Sequence, residues 1–271
     1  MNASISVPAR ASGRISADSV AGFAPLFRKE LGEWAHSKRP WVILTVTTLF
    51  MVLTAGNAAL NSWIIANVPD AQTSSAVVSL DPMTNFMAAI STQIFVVVAI
   101  FVAMSLLVAE RERGTLSWVA SKPVSRGAIW LSKWAAATIV VSIVAGIIPM
   151  AASFALVAVL YGPASIGAFA FATLGVVASV AFIIAVVLAV STVIPNQAAV
   201  AAIGFTVFLL PLILVSLVPV DISPFLPTSI VDWAMALMVG ASTGFVTPIV
   251  WAVSVVALAG YASWRMERIE F

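Results

Sequence analysis

Long apolar runs dominate the chain, and three short clusters of basic residues separate them. Every Lys and Arg lies within residues 10–39, 111–133 or 265–268. A membrane-spanning helix needs about 20 apolar residues, so the first gap of about 70 residues has room for two spans and the second gap of about 130 residues has room for four. The pattern therefore predicts six transmembrane helices, which we place at residues 41–66, 86–109, 134–160, 169–194, 198–218 and 245–264.

The composition favours the same interpretation. Hydrophobic residues make up 62% of the chain and charged residues 9%, whereas charged residues make up roughly 25% of an ordinary globular domain. The chain has no cysteine and one histidine, His36, which excludes disulfides, thiolate chemistry and metal sites built on Cys or on several His. We therefore expect an all-α polytopic membrane protein with no metal or cofactor of its own.

The basic clusters also predict the orientation of the chain. Because an even number of spans separates them, all three clusters fall on one side of the membrane, and the positive-inside rule makes that side the cytoplasm. Both termini are therefore predicted to be cytoplasmic. The segments on the opposite side carry acidic charges without basic ones, at Asp70, Asp81, Asp221 and Asp232.

Two further segments are predicted to be helices that do not span. Residues 23–39 repeat apolar side chains at helical spacing, which predicts an amphipathic helix in the inner interface. Glu30 falls on the apolar face of this helix; its carboxylate either snorkels to water or meets a cytoplasmic partner, and the sequence leaves both open. Residues 228–240, with Thr228 or Ser229 as N-cap, are too short to span and predict a re-entrant or surface helix on the outer side.

These predictions divide the chain into four parts. Residues 1–22 are rich in Ser and Ala and are predicted to be a disordered tail. Residues 23–39 form the interfacial helix, residues 40–264 the six-span domain, and residues 265–271 the cytoplasmic C-terminus.

The predicted spans offer no catalytic chemistry. They contain no Asp, Glu, Lys, Arg or His, unless Glu110 is counted at the inner end of the second span, and this argues against an acid–base pair and against a proton relay. A Walker A loop needs Gly immediately before its Lys, and no lysine of this chain follows a glycine. We therefore expect that the chain is not an enzyme and that energy for uphill transport comes from another polypeptide. Sodium coupling through backbone carbonyls stays open, with Pro149 and Pro211 as candidate helix breaks.

The loop after the second span combines charges with turn residues. Gly114 and Pro123 predict turns, the segment between them predicts a short helix, and Ser125 is suited to cap the helix that enters the third span. Topology alone also requires a basic loop here, and Arg126 and Lys133 could hold anionic headgroups at about 1 kcal/mol each. The acidic residues and the two turns are not needed for topology, however, which favours docking of a partner.

The same loop resembles a known family. The pattern E-R-x-x-G-T-L-x-x-x-x-x-x-P-V-S-R, from Glu110 to Arg126 and followed by Lys133, is similar to the cytoplasmic loop of ABC-2-type transporter permeases, including the NosY-like group and the membrane subunits of drug and lipid exporters. The segment FRKELGEW at residues 27–34 also resembles the start of these subunits.

The resemblance implies a half-transporter in a prokaryotic plasma (inner) membrane. Two permeases, identical or different, would pair in the lipid and dock two copies of an ABC ATPase (nucleotide-binding) subunit, which binds ATP and Mg; no nucleic acid is implied. The coupling helix in the loop would be the docking element. The residues that carry over as docking and coupling residues are Glu110, Arg113, Gly114, Thr115, Leu116, Pro123, Val124, Ser125 and Arg126. A secondary inner contact is expected from Glu30, Asn196 and Gln197.

The favoured function is therefore export of a hydrophobic or amphipathic substrate, driven by ATP hydrolysis in the partner subunit. Two other classes stay open: an ion-coupled secondary transporter, and a membrane assembly protein with no transport role. An inverted three-span repeat would indicate the first, and none is evident in the sequence. Association with a subunit that carries a Walker motif would exclude both.

Overall fold

A computed structural model of the chain describes residues 21–67, 81–115, 124–218 and 220–268. These residues form helices joined by short connections, and none of them is in a β-strand. The helices are α1 (Phe23–Ala35), α2 (Arg39–Asn67), α3 (Pro82–Ser91), α4 (Ile94–Glu112), α5 (Arg126–Val141), α6 (Ile148–Leu160), α7 (Ile166–Ser191), α8 (Gln197–Leu217), α9 (Ile230–Met238) and α10 (Val246–Glu267).

Six helical segments within the described residues are long and apolar enough to cross a membrane, which confirms the six-span prediction. Helices α3 and α4 together make one span, α5 and α6 together make another, and α2, α7, α8 and α10 are the other four. Large apolar side chains such as Leu53 and Ile249 are exposed on the outer faces of these helices. Such faces are stable in lipid and would be unstable in water.

Helix α7 forms the centre of the bundle. Within an apolar stretch of 18 residues, 72% of the residues of α7 are buried, compared with 22% in α2 and α8 and 11% in α10. It packs against α4, α5, α8, α9 and α10, whereas α2 packs mainly against α3 and α6. A helix that is apolar on all sides is expected in such a central position, because protein surrounds it.

The second span is interrupted, although the sequence predicted a continuous helix over residues 86–109. Helix α3 is capped by Asp81, whose carboxylate accepts a hydrogen bond from the backbone N–H of Thr84 at 2.7 Å. The helix ends at Ser91, and Gln93 then adopts a left-handed conformation with φ of 45° before α4 begins. Such a positive φ is uncommon for a residue other than glycine. The Gln93 side chain is buried and lines a small cavity together with Phe208 and Asp232.

The third span also contains an irregular turn. A π-helical segment, Ser142–Ile147, joins α5 to α6. It ends two residues before Pro149, which cannot donate a backbone hydrogen bond. The buried hydroxyl of Thr47 on α2 donates to the carbonyl oxygen of Val144 at 3.2 Å. This bond gives the widened turn an additional partner in a region where water cannot supply one.

The short outer helix predicted over residues 228–240 is present as α9. Ser229 occupies its N-cap position but makes no capping hydrogen bond through its side chain. Helix α9 packs closely on α7 at Gly175, where an added Cβ would lie 2.6 Å from the Cβ of Ala234. The packing of α9 therefore requires a residue without a side chain at position 175.

Candidate docking and coupling site

The starts of α1 and α5 and the end of α10 lie together at one end of the bundle. The backbone N–H of Ser125 donates to the carbonyl oxygen of Ala21 at 3.0 Å. The Nη1 atom of Arg126 donates to the carbonyl oxygens of Met266 and Glu267 at 3.2 and 3.0 Å. Residues from all three basic clusters therefore meet at one end, as an even number of spans between clusters requires.

Arg126 satisfies the last carbonyls of α10. The final carbonyl groups of a helix lack partners within the helix and carry partial negative charge, so a guanidinium is favourable there. The sequence offered Arg126 either as a docking residue or as a ligand of lipid headgroups. In the structure its guanidinium is part-buried and bound within the chain.

The start of α5 is fixed by Ser125 and by a close contact with α1. The hydroxyl oxygen of Ser125 accepts a hydrogen bond from the backbone N–H of Ala128 at 3.1 Å, which confirms the predicted N-cap. Gly22 precedes α1 with φ of 85°, and a Cβ at this position would lie 2.5 Å from Cγ1 of Val124. Val124 and Gly22 therefore pack so closely that only glycine fits.

Replacing Gly22 by Ala should destabilise this junction by about 2 kcal/mol, because positive φ is costly for Ala and the added methyl group meets Val124. The thermal unfolding midpoint of the purified protein in detergent should fall. Gly32→Ala is the matched control: Gly32 lies inside α1 with open space around it, so Ala should stabilise the helix by about 0.5–1 kcal/mol. A Gly22→Ala midpoint equal to wild type would contradict the packing.

Helix α4 ends in a glycine turn, as the sequence predicted. Gly114 has φ of 70°, and its backbone N–H donates to the carbonyl oxygen of Arg111 at 3.1 Å. The hydroxyl of Thr115 donates to the carbonyl oxygen of Glu110 at 3.2 Å. The chain thus leaves the helix within one turn of Glu110. Leu116, Pro123 and the predicted coupling helix between them lie outside the described residues.

A buried ion-pair cluster joins α1, α4 and α5 behind this loop. The Nζ atom of Lys133 lies 2.9 Å from Oε1 of Glu30 and 2.7 Å from Oε1 of Glu110. The Lys133 side chain is 3% exposed, and the side chains of Glu30 and Glu110 are 7% and 18% exposed. We call these three residues the Lys133 cluster. Because the distances are short and the exposure is low, both carboxylates depend on the Lys133 ammonium group for compensation of their charge.

Lys29 adds a second ammonium group at the edge of the cluster. Its Nζ atom lies 2.9 Å from Glu33, 3.5 Å from Glu30 and 3.8 Å from Glu110. Burial lowers the pKa of Lys29, but the hydrogen bond to Glu33 and the charges of all three carboxylates outweigh it, so the pKa is raised overall. The three carboxylates lie close enough together to ligate one metal ion, but the ammonium groups of Lys29 and Lys133 already pair with their oxygens and offset two of the three negative charges, which favours ion pairing over metal binding.

Sequence reasoning did not identify the Lys133 cluster. Glu30 was expected either to snorkel or to contact a cytoplasmic partner, and the structure instead directs its carboxylate into the protein. Lys133 was placed just outside the third span, whereas α5 begins at Arg126 and Lys133 lies two turns inside the helix. The available signal was an acidic residue on an apolar helical face together with a lysine among buried positions, since such charges need a partner of opposite sign.

The second inner loop lies beside the end of α4. Asn196 caps α8, because its Oδ1 atom accepts a hydrogen bond from the backbone N–H of Ala199 at 3.0 Å. The Nε2 atom of Gln197 donates to Oε2 of Glu112 at 3.4 Å. Asn196 and Glu112 are exposed, so this second loop presents polar groups next to the glycine turn of α4.

These features define a polytopic helical membrane protein in which the ends of one loop are bound tightly to an amphipathic N-terminal helix. A family model described as ABC-2 family transporter protein matches residues 24–231, from α1 into α9. The match covers well over half of the chain, and the chain therefore belongs to the ABC-2 transporter family, as the loop pattern indicated. Members of this family are membrane components of transporters and typically associate with ATP-binding subunits. A comparison with curated proteins finds no match.

Proposed function

We propose that the chain is the permease subunit of an ATP-binding-cassette exporter in a prokaryotic plasma membrane, with both termini in the cytoplasm. The family match over residues 24–231 carries the proposal. The permease pairs with a second permease and docks two ATPase subunits, which bind ATP and Mg. Its substrate is hydrophobic or amphipathic, in keeping with transmembrane helices that consist mainly of apolar and small side chains.

The Lys133 cluster supports a route by which the loop moves the helices. Glu110 lies on the helix that enters the loop, Lys133 lies on the helix that leaves it, and Glu30 lies on α1. A force on residues 115–123 from the closing ATPase subunits would therefore reach three helices together. Buried ion pairs are more directional than apolar contacts, so these pairs would keep α1, α4 and α5 in a fixed arrangement while they move.

The structure indicates which residues can test docking without disturbing the permease itself. Glu110 and Arg126 bind other parts of the chain, so their replacement would damage folding as well as docking. Arg113 is exposed at the end of α4, and Leu116 lies in the loop. We expect Arg113→Glu combined with Leu116→Asp to weaken association with the ATPase subunit about tenfold or more, because it reverses one interface charge and removes one apolar contact.

The measurement is co-purification of the tagged permease from native membranes, followed by mass spectrometry for a subunit with a Walker A sequence. ATP hydrolysis by the reconstituted complex in proteoliposomes gives the second readout. Arg268→Glu is the matched control, since Arg268 is also an exposed arginine, at the end of α10. Absence of a Walker-motif subunit with the wild-type chain would refute the proposed function; full association of the double variant would refute docking through this loop.

A further inference from the structure

An apolar groove of about 500 Å³ lies where α1 turns into α2 and faces α4. On one side it is lined by Trp34, at the end of α1, and by α2 as far as Val46; on the other side it is lined by α4 from Val98 to Ser105. Its size is that of a typical small-molecule site. The groove is separate from the Lys133 cluster and has no part in the proposed docking of the ATPase.

The groove has a direction relative to the membrane. Helix α2 starts at the end of the bundle that carries the basic clusters, and α4 runs back toward that end. From Arg39 to Val46, and from Ser105 to Val98, the helices rise about 10 Å at 1.5 Å per residue. The hydrocarbon core is ~30 Å thick, so the groove follows most of the depth of one leaflet, which is the inner leaflet in the predicted orientation.

Two cations lie at the headgroup end of this groove. Lys38 and Arg39 line it there, both are exposed, and neither makes an ion pair with any described residue. The acidic residue nearest in sequence, Glu33, is bound to Lys29 at 2.9 Å. The groove therefore has apolar walls along its length, and the positive charge at its mouth is not paired with any acidic side chain among the described residues.

We propose that this groove binds one phospholipid with an anionic headgroup, such as phosphatidylglycerol, from the leaflet on the side of the basic clusters. One of its two acyl chains lies between α2 and α4, and the phosphate group contacts Lys38 and Arg39. A second copy of the chain fits the groove less well than a lipid does. A two-fold interface centred here would bring two sets of Lys38 and Arg39 together, which like-charge repulsion opposes.

Native mass spectrometry of the full-length chain, purified in detergent and titrated with phosphatidylglycerol or phosphatidylcholine, tests the proposal. We expect one phosphatidylglycerol per chain, bound roughly tenfold more tightly than phosphatidylcholine, because basic side chains near the surface favour anionic lipids. Lys38→Gln with Arg39→Gln should reduce phosphatidylglycerol binding to the level of phosphatidylcholine. Val46→Trp, which fills the groove, should reduce binding of both lipids about tenfold.

Matched controls separate the groove from general lipid contact. Arg28→Gln with Arg268→Gln removes two exposed positive charges elsewhere, and Val256→Trp adds the same bulk on an exposed face of α10. Both controls should bind lipid as the wild type does. Equal binding of the two lipids by the wild type, or unchanged preference in the Lys38/Arg39 variant, would overturn the proposal. Val46→Trp that leaves lipid binding intact but separates a dimer would overturn it in favour of a second copy.

Discussion

Replacing Lys133 by Met should destabilise the folded protein by about 3–5 kcal/mol, because it leaves the buried carboxylate of Glu30 and the part-buried carboxylate of Glu110 close together without their shared cation. Methionine has a similar length and fits among apolar neighbours, so the loss of charge is the main change. The thermal unfolding midpoint in detergent should fall sharply, and the yield of folded protein from membranes should fall with it. Lys29 compensates only in part, since its Nζ atom is 3.5 Å and 3.8 Å from the same two carboxylates.

A compensated variant distinguishes the charge from the shape of the side chain. Lys133→Met combined with Glu30→Gln and Glu110→Gln removes all three charges and should recover much of the lost stability, since a neutral cluster has no unpaired buried charge. The same triple variant is also informative about coupling. If the ion pairs form the joint through which the loop moves the helices, ATP hydrolysis should continue while transport falls. Equal stability of the wild type and Lys133→Met, or a triple variant less stable than Lys133→Met, would contradict this account of the cluster.

Much of the fold follows from where charges occur along the sequence. The spacing of the basic clusters predicts six spans, and the cap at Ser125 and the turn at Gly114 follow from local backbone chemistry. The interruptions are different. Pro149 was a candidate break, and the π-helical segment Ser142–Ile147 ends two residues before it. Gln93 follows two other polar residues, Ser91 and Thr92, but the apolar residues on both sides are together long enough to predict one continuous span, so no break was expected there.

The contacts between distant segments are the part that sequence reasoning could not supply. Glu30 and Lys133 are 103 residues apart, and each has an ordinary local explanation at a membrane interface. Only the packing of α1 on α5 shows that they form a pair. Gly175 could not be singled out from the sequence either, because small residues are frequent throughout the chain. Only its close contact with α9 in the structure shows that this position requires glycine.

Replacing Gly175 by Leu should displace α9 from α7. Even a methyl group here would lie 2.6 Å from the Cβ of Ala234 and 3.4 Å from the Cα of Val231, and neither atom can move away by a change of rotamer. Overpacking of this kind costs about 1–3 kcal/mol, and a branched side chain leaves α9 no room at its present distance. Since the chain has no cysteine, Val231→Cys introduces a single thiol at a position that is 1% exposed.

The rate of maleimide labelling at that thiol measures the displacement. We expect slow labelling in the Val231→Cys background and labelling at least tenfold faster when Gly175→Leu is added, because detachment of α9 exposes the thiol. Gly260→Leu is the matched control: Gly260 lies in α10 with open space around it, so the same substitution adds the same bulk without a collision. If Gly175→Leu and Gly260→Leu gave the same slow labelling, the close contact at Gly175 would not be what holds α9 against α7.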